Sequence, residues 1–257
     1  MYKQTTGVAL VIGLFSLLLA QPAAAGGWTV VTLDELPVAI RSGEPVEISF
    51  QVQQHGVRPL TLGAGEVILT AQQQGSDQTI QIMAQPTGRP GHYSAEFVLP
   101  ASGVWKWEIK PGFFPPAPMP DLTVEPAKTQ LAPRMPASGE WGWWRQMAFQ
   151  IMSQLRLPAD SSSATTTGAD LATDPVSYGK ALFVAKGCAT CHLHTSALVP
   201  LSTGVGPELS NYQVIPEYVT AWLRDPKAIK PQTQMPTLAL QEPEIEALVA
   251  FLSAGQR

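Results

Sequence analysis

Between residues 46 and 109 apolar and polar positions alternate. Val46, Ile48, Phe50 and Val52 form one run, and Val67, Leu69 and Ala71 the next. Ile80, Ile82 and Ala84 follow, then Tyr93, Ala95, Phe97 and Leu99, then Trp105, Trp107 and Ile109. Successive side chains of a strand point to opposite faces, so this period of two predicts half-buried strands. Ser42-Gly43, Gly63-Ala64-Gly65, Gln74-Gly75-Ser76-Asp77 and Gly88-Arg89-Pro90-Gly91 separate the runs as turns. The pattern predicts a β-sandwich of roughly seven strands over residues 27–126.

The period then changes. In Pro175 to Gly187, Tyr178, Leu182 and Phe183 fall on one side at helical spacing, with Asp174-Pro175 as a start and Gly187 as a stop. A last helix is predicted over Glu242 to Ala254. Its apolar stripe is Ile245, Leu248, Val249 and Leu252, with Phe251 beside it. Glu242, Glu244 and Glu246 suit its positive N-terminal end. The chain thus reads as two domains, an all-β unit followed by an all-α unit.

Residues 127–174 read as a connector. It opens rich in proline and then offers a short helix with Trp144, Met147, Ile151 and Leu155 on a broad face. Trp141, Trp143 and Trp144 suit a membrane interface, a docking surface or packing against the sandwich. The Ser/Thr-rich stretch up to Asp174 reads as a flexible tether that would let the last domain shuttle. At the N-terminus, Lys3, the apolar run Gly7 to Ala20 and Ala23-Ala24-Ala25 read as a secretory signal cleaved after Ala25. The competing reading is a retained anchor, for which the run is short.

Composition narrows the function. Of 257 residues 14% are charged, the net charge is −4, and there is no basic run, which excludes a nucleic-acid binder of the usual kind. Only two cysteines occur, and they fall in Cys188-Ala189-Thr190-Cys191-His192. C-x-x-C-H attaches c-type haem. Two thiols reach two vinyl groups on one porphyrin edge, and His192 lies under the iron as proximal ligand. A thioredoxin motif would want a βαβ context and a zinc site a second ligand pair, and the sequence has neither. One methionine follows the motif, Met235, in a loop between Pro231 and Pro236. It reads either as a core filler or as a thioether over the iron's other face. His194 is too near His192 to reach that face and reads as a surface or propionate-side residue. His55 and His92 lie in the other domain.

These residues carry a resemblance. Gly179 to Phe183, Gly187 to His192, Gly206-Pro207-Glu208-Leu209, Trp222-Leu223, Met235-Pro236 and the last helix make residues 175–257 similar to class I cytochromes c. The resemblance implies an all-α fold and one covalent haem c with His192 and Met235 as axial ligands. It also implies a Pro207 carbonyl bonded to the proximal imidazole, and first and last helices crossing where Gly179 and Phe183 meet Leu248 and Phe251. Trp222 and Tyr212 would line the haem edge or reach a propionate. Gly91 to Phe97 with Gly103-Val104-Trp105 resembles YtkA-like or FixH-like periplasmic immunoglobulin-type domains, which implies an immunoglobulin-like sandwich used for docking or for copper.

Two filled axial positions imply an electron carrier with no catalytic residue. Its partners would be redox proteins, among them a membrane respiratory or photosynthetic complex, in the periplasm or another extracytoplasmic space. An enzyme or sensor with a displaceable distal ligand is the alternative. A copper-handling protein, with His55, His92, Met83 and Met119 as candidate ligands, is a third reading.

Overall fold

In the computed structural model, residues 27–128, 174–197, 199–200 and 202–254 are described. The secretory-signal reading of residues 1–25 and most of the connector, with its Trp141–Trp144 segment, lie outside them.

The alternating segments form two facing sheets. The first runs β1 (Thr29–Leu33), β3 (Pro45–Gln54), β8 (His92–Val98), β7 (Gln85–Pro86), with β4 (Arg58–Pro59) on β3. The second runs β2 (Ile40–Arg41), β11 (Leu122–Glu125), β9 (Gly103–Pro111), β5 (Val67–Gln73), β6 (Thr79–Met83), with β10 (Ala117–Pro118) on β9. Seven of these strands have four residues or more, and four are two-residue pairings. Pairing is antiparallel except between β11 and β2.

Register brings the inward residues together. Phe50 faces Tyr93 across the first sheet, and Leu69 faces Ile109 across the second. The buried aromatics keep their polar tips satisfied. The Tyr93 hydroxyl accepts from Leu62 N at 2.6 Å, and Trp105 and Trp107 donate their indole N–H to the carbonyls of Ala101 and Pro120 at 3.0 and 2.6 Å.

The helical unit comprises α1 (Pro175–Ala185), α2 (Cys188–Cys191), α3 (Pro216–Arg224), α4 (Pro226–Ile229) and α5 (Glu242–Ala254), with a 3₁₀ turn at Thr195–Ala197. Asp174 caps α1 by accepting from Val176 N and Ser177 N at 3.2 and 3.1 Å, and Pro175 supplies a preset first φ. Those two hydrogen bonds and one from the Ser177 hydroxyl hold the Asp174 carboxyl below its ordinary pKa. The crossing of α1 and α5 needs Gly179. A Cβ there would collide with the Ala247 carbonyl and lie 2.8 Å from Phe251 Cβ. Phe183 and Phe251 then meet with ring centroids 5.6 Å apart.

One strand breaks the alternation. All five residues of β1 are buried. Its inner face joins the sandwich core, and its outer side is covered by the end of α1. Gly187, with φ +78°, sits so close to β1 that a Cβ would strike Val30 and lie 2.9 Å from the Val31 carbonyl. Thr32 Oγ1 donates to the Lys186 carbonyl at 3.4 Å, and Ala181 and Ala185 join the sandwich's own apolar cluster. The tethered, shuttling helical domain expected from the linker composition is therefore found seated on the sandwich. The reason is apolar area that neither unit buries alone.

Lys186 fastens this joint. Its ammonium is 2.8 Å from Glu244 on α5 and donates to the Asp34 carbonyl just past β1, also at 2.8 Å. The Lys186 and Glu244 side chains are 4% and 10% exposed, so neither charge can turn to water. Removing one partner of such a pair strands the other, at a cost of about 3–5 kcal/mol. Lys186→Ala should lower the unfolding free energy by about that amount. Lys186→Ala with Glu244→Leu should recover part of the loss. Chemical denaturation of the three proteins measures it, and equal losses in single and double variants would contradict the coupling.

Candidate functional site

The chemistry-bearing residues cluster around α2. Gly187, at positive φ, reverses the chain after α1 and starts this single turn. The turn sets Cys188 and Cys191 three residues apart on one face. His192 leaves it in extended conformation, φ −110° and ψ 134°, while its N–H still bonds the Cys188 carbonyl at 2.8 Å. Burial pushes the Cys188 thiol up to about 12, with Cys191 beside it adding to the rise. Burial likewise raises Cys191, against a hydrogen bond from Thr203. Both cysteines are half-buried and line one crevice.

A strap runs past the imidazole. Gly206 N bonds the Cys191 carbonyl at 2.9 Å, and His192 Nδ1 lies 2.9 Å from the Pro207 carbonyl. A carbonyl only accepts, so the imidazole proton sits on Nδ1 and Nε2 keeps its lone pair. Gly206 has to be glycine for this contact, because a Cβ would lie 2.5 Å from Nδ1.

A crevice of about 670 Å³ opens beside these groups. Leu209, Val219, Leu223, Leu248 and Leu252 give it an apolar lining, and Cys188, Cys191, His192 and Met235 all reach it. Met235 is held in its loop by a bond from its N–H to Thr233 Oγ1 at 3.2 Å. The Trp222 indole N–H donates to the Met235 sulfur at 2.9 Å. Trp222 itself lines the crevice. Tyr212 lines the crevice and is partly exposed. Two thiols, one free imidazole nitrogen and one thioether around an apolar slot form a donor set that fits a covalently held haem.

Some expectations are corrected. His194 is neither a surface nor a propionate-side residue. It is 4% exposed, wedged between Phe183 and Phe251 at centroid distances of 5.8 and 4.4 Å. Its Nδ1 accepts from Ser196 N at 3.2 Å, and burial, with Lys180 nearby, lowers its pKa. The four candidate copper ligands have separate surroundings. His92 uses both ring nitrogens, on Thr87 Oγ1 and Asp34 Oδ2, each at 2.8 Å. His55 lies tilted against Trp28, Met119 is in the sandwich core, and Met83 is exposed. Among the described residues no three His, Cys, Asp or Glu side chains are grouped to hold a metal ion.

The crevice has a wall that the sequence did not announce. Trp28, Val30, His55 and Gly56 of the sandwich line it together with the helical residues. No period or motif marks them, because the contact exists only after the two units meet.

Comparison with known proteins agrees with the geometry of the second unit. Residues 176–256 match the family model described as Cytochrome c. These residues are a cytochrome c domain. The cytochrome c domain carries covalent haem c, and Cys188 and Cys191 fit its attachment motif. No curated protein matches the chain. Among solved structures, the chain is similar to the Lin-41 filamin domain at 16% identity, covering 38% of this chain and 91% of that one, with a TM-score of 0.30. E. coli alpha-2-macroglobulin gives 18% identity, 39% and 6% coverage and a TM-score of 0.31. A superoxide reductase (neelaredoxin) from Ignicoccus hospitalis gives 16%, 43% and 98%, and 0.27. At such TM-scores these three likenesses carry no argument about this chain.

The strap around His192 can be tested directly. Gly206→Ala should push the imidazole off the Pro207 carbonyl and cost about 1–3 kcal/mol as overpacking does. Loss of the slowly exchanging Nδ1 proton in the NMR spectrum, with lower stability, is the expected result.

Proposed function

We propose that this cytochrome c protein is exported and carries single electrons through one haem c held by His192 and Met235. The observation that carries the reading is the His192–Pro207 bond at 2.9 Å, which leaves Nε2 free in the same crevice that Met235 enters. When bound, the haem supplies an iron that changes by one oxidation state and so passes one electron. The protein's residues do the rest. Cys188 and Cys191 fix the porphyrin edge through two thioethers. Pro207 holds the imidazole in one orientation and raises its basicity. Met235 fills the remaining position, and a thioether ligand raises the potential relative to a second imidazole. Trp222, donating to the sulfur, orients it. With His192 and Met235 both holding the group, no site would stay open for a substrate.

Export is supported by the apolar run Gly7 to Ala20 followed by Ala23-Ala24-Ala25, and by attachment of c-type haem outside the cytoplasm. The proposed setting is periplasmic, with redox proteins as partners and a membrane respiratory or photosynthetic complex among them. The Trp141–Trp144 segment, outside the described residues, is the stretch suited to touching that membrane.

The test is a visible spectrum of the matured protein, oxidised and reduced, with and without carbon monoxide. A low-spin spectrum indifferent to carbon monoxide is expected. Ready binding of carbon monoxide would favour an enzyme or sensor with an open distal site. Met235→Ala should keep the haem attached, lower the midpoint potential and admit carbon monoxide. An unchanged spectrum would assign the ligand elsewhere. Cys188→Ala with Cys191→Ala should abolish haem that survives denaturation.

A further inference from the structure

We infer that the β-sandwich is part of the haem site: Trp28 and His55 close the crevice at its Cys188 end and keep water from the haem edge there. The inference rests on the haem reading above. Trp28, Val30, His55 and Gly56 line the same crevice as Cys188, His192 and Met235. They come from two pieces of chain, the start of β1 with the residue before it and the turn that follows β3.

Those two pieces are locked to each other. His55 N bonds the Trp28 carbonyl at 3.0 Å, and the two rings lie 5.5 Å apart. Gly56, at φ +72°, supplies the left-handed backbone of the turn and lies against Val30 and the Trp28 ring. His55 itself holds φ +54°, a left-handed conformation that a non-glycine side chain adopts at a cost. Strain of this kind persists where the surroundings over-determine it, and it concentrates at functional sites.

The wall is also locked to the haem domain. The contact of β1 with Gly187 falls one residue before Cys188, and Lys186 reaches Asp34 two residues before that cysteine. The sandwich therefore cannot drift from the attachment end of the crevice while the joint is closed. The wall has a chemical consequence. Trp28 is half-buried and His55 exposed, so both rings stand between the crevice and solvent. Oxidised haem carries one more positive charge than reduced haem, and displacing water from its edge disfavours that charge. Exclusion of solvent by the protein shell is one of the controls on a haem potential. Trp28 and His55 are thus positioning residues that raise the potential and shield the edge.

The experiment uses the full chain matured with haem. Trp28→Ala and His55→Asn are compared with the parent and with Met83→Ala, which changes an exposed sandwich residue outside the crevice. Asparagine tolerates the left-handed backbone, so His55→Asn removes the imidazole and spares the turn. The readouts are the midpoint potential and the rate of oxidation by ferricyanide, a small reagent that reacts at the exposed haem edge. Both crevice variants should show a lower potential and a several-fold faster oxidation, and Met83→Ala should match the parent. A parent-like potential and rate in both crevice variants, with the haem spectrum intact, overturns this inference alone. A parent protein without covalent haem overturns the haem reading and this inference together.

Discussion

A lysine ammonium that cannot reach water has to be neutralised where it stands, and in this protein much else follows from that. Lys186 ends α1, Glu244 opens α5, and the Asp34 carbonyl follows β1. Satisfying one cation fixes the two helices that frame the haem crevice and the sandwich edge that covers it. Buried pairs of this kind contribute little net stability against apolar replacements, because desolvation offsets attraction. Their effect is on geometry: alternative arrangements strand a charge. The close approach at Gly179 and the seating of Gly187 on β1 are the apolar counterparts of that constraint.

The crevice divides into a rigid side and an adjustable one. On the His192 side, backbone bonds from His192 and Gly206 to the carbonyls of Cys188 and Cys191 leave the imidazole one orientation. On the Met235 side a loop between prolines carries the sulfur, held by Thr233 and Trp222. Electron transfer benefits from this division, since a site that barely rearranges between oxidation states has little reorganisation to undergo. The proximal strap supplies the rigidity. In the proposed ligation, the Met235 thioether would be a soft donor on a flexible side chain.

Much of this was legible in the residues. Alternation marked β3, β5, β6, β8 and β9 because each keeps one face toward solvent or a polar surface, and that is the condition under which period two is visible. β1 was silent for the converse reason, since TVVTL is buried on both faces. The Cys188–His192 motif marked the attachment site because its spacing is dictated by porphyrin geometry, and the Met235 loop was legible through its prolines. His194 was misplaced because a histidine near a haem motif suggests a polar role. Here its ring serves as an aromatic surface between Phe183 and Phe251. Trp222 had no signal tying it to sulfur, and the Trp28–His55 wall arises only from docking of two units that sequence patterns describe one at a time.

The seating of Gly187 on β1 also ties the completion of one unit to the shape of the other. Cys188 is the next residue, so once the joint has closed, the backbone leading into the attachment motif is pinned against a finished strand. The sandwich's apolar cluster runs from Val31 to Val124 and takes in Ala181 and Ala185 of α1, so it is complete only when the joint is closed. Closure of the two units on each other therefore completes the sandwich core and fixes the backbone of the attachment motif in a single step.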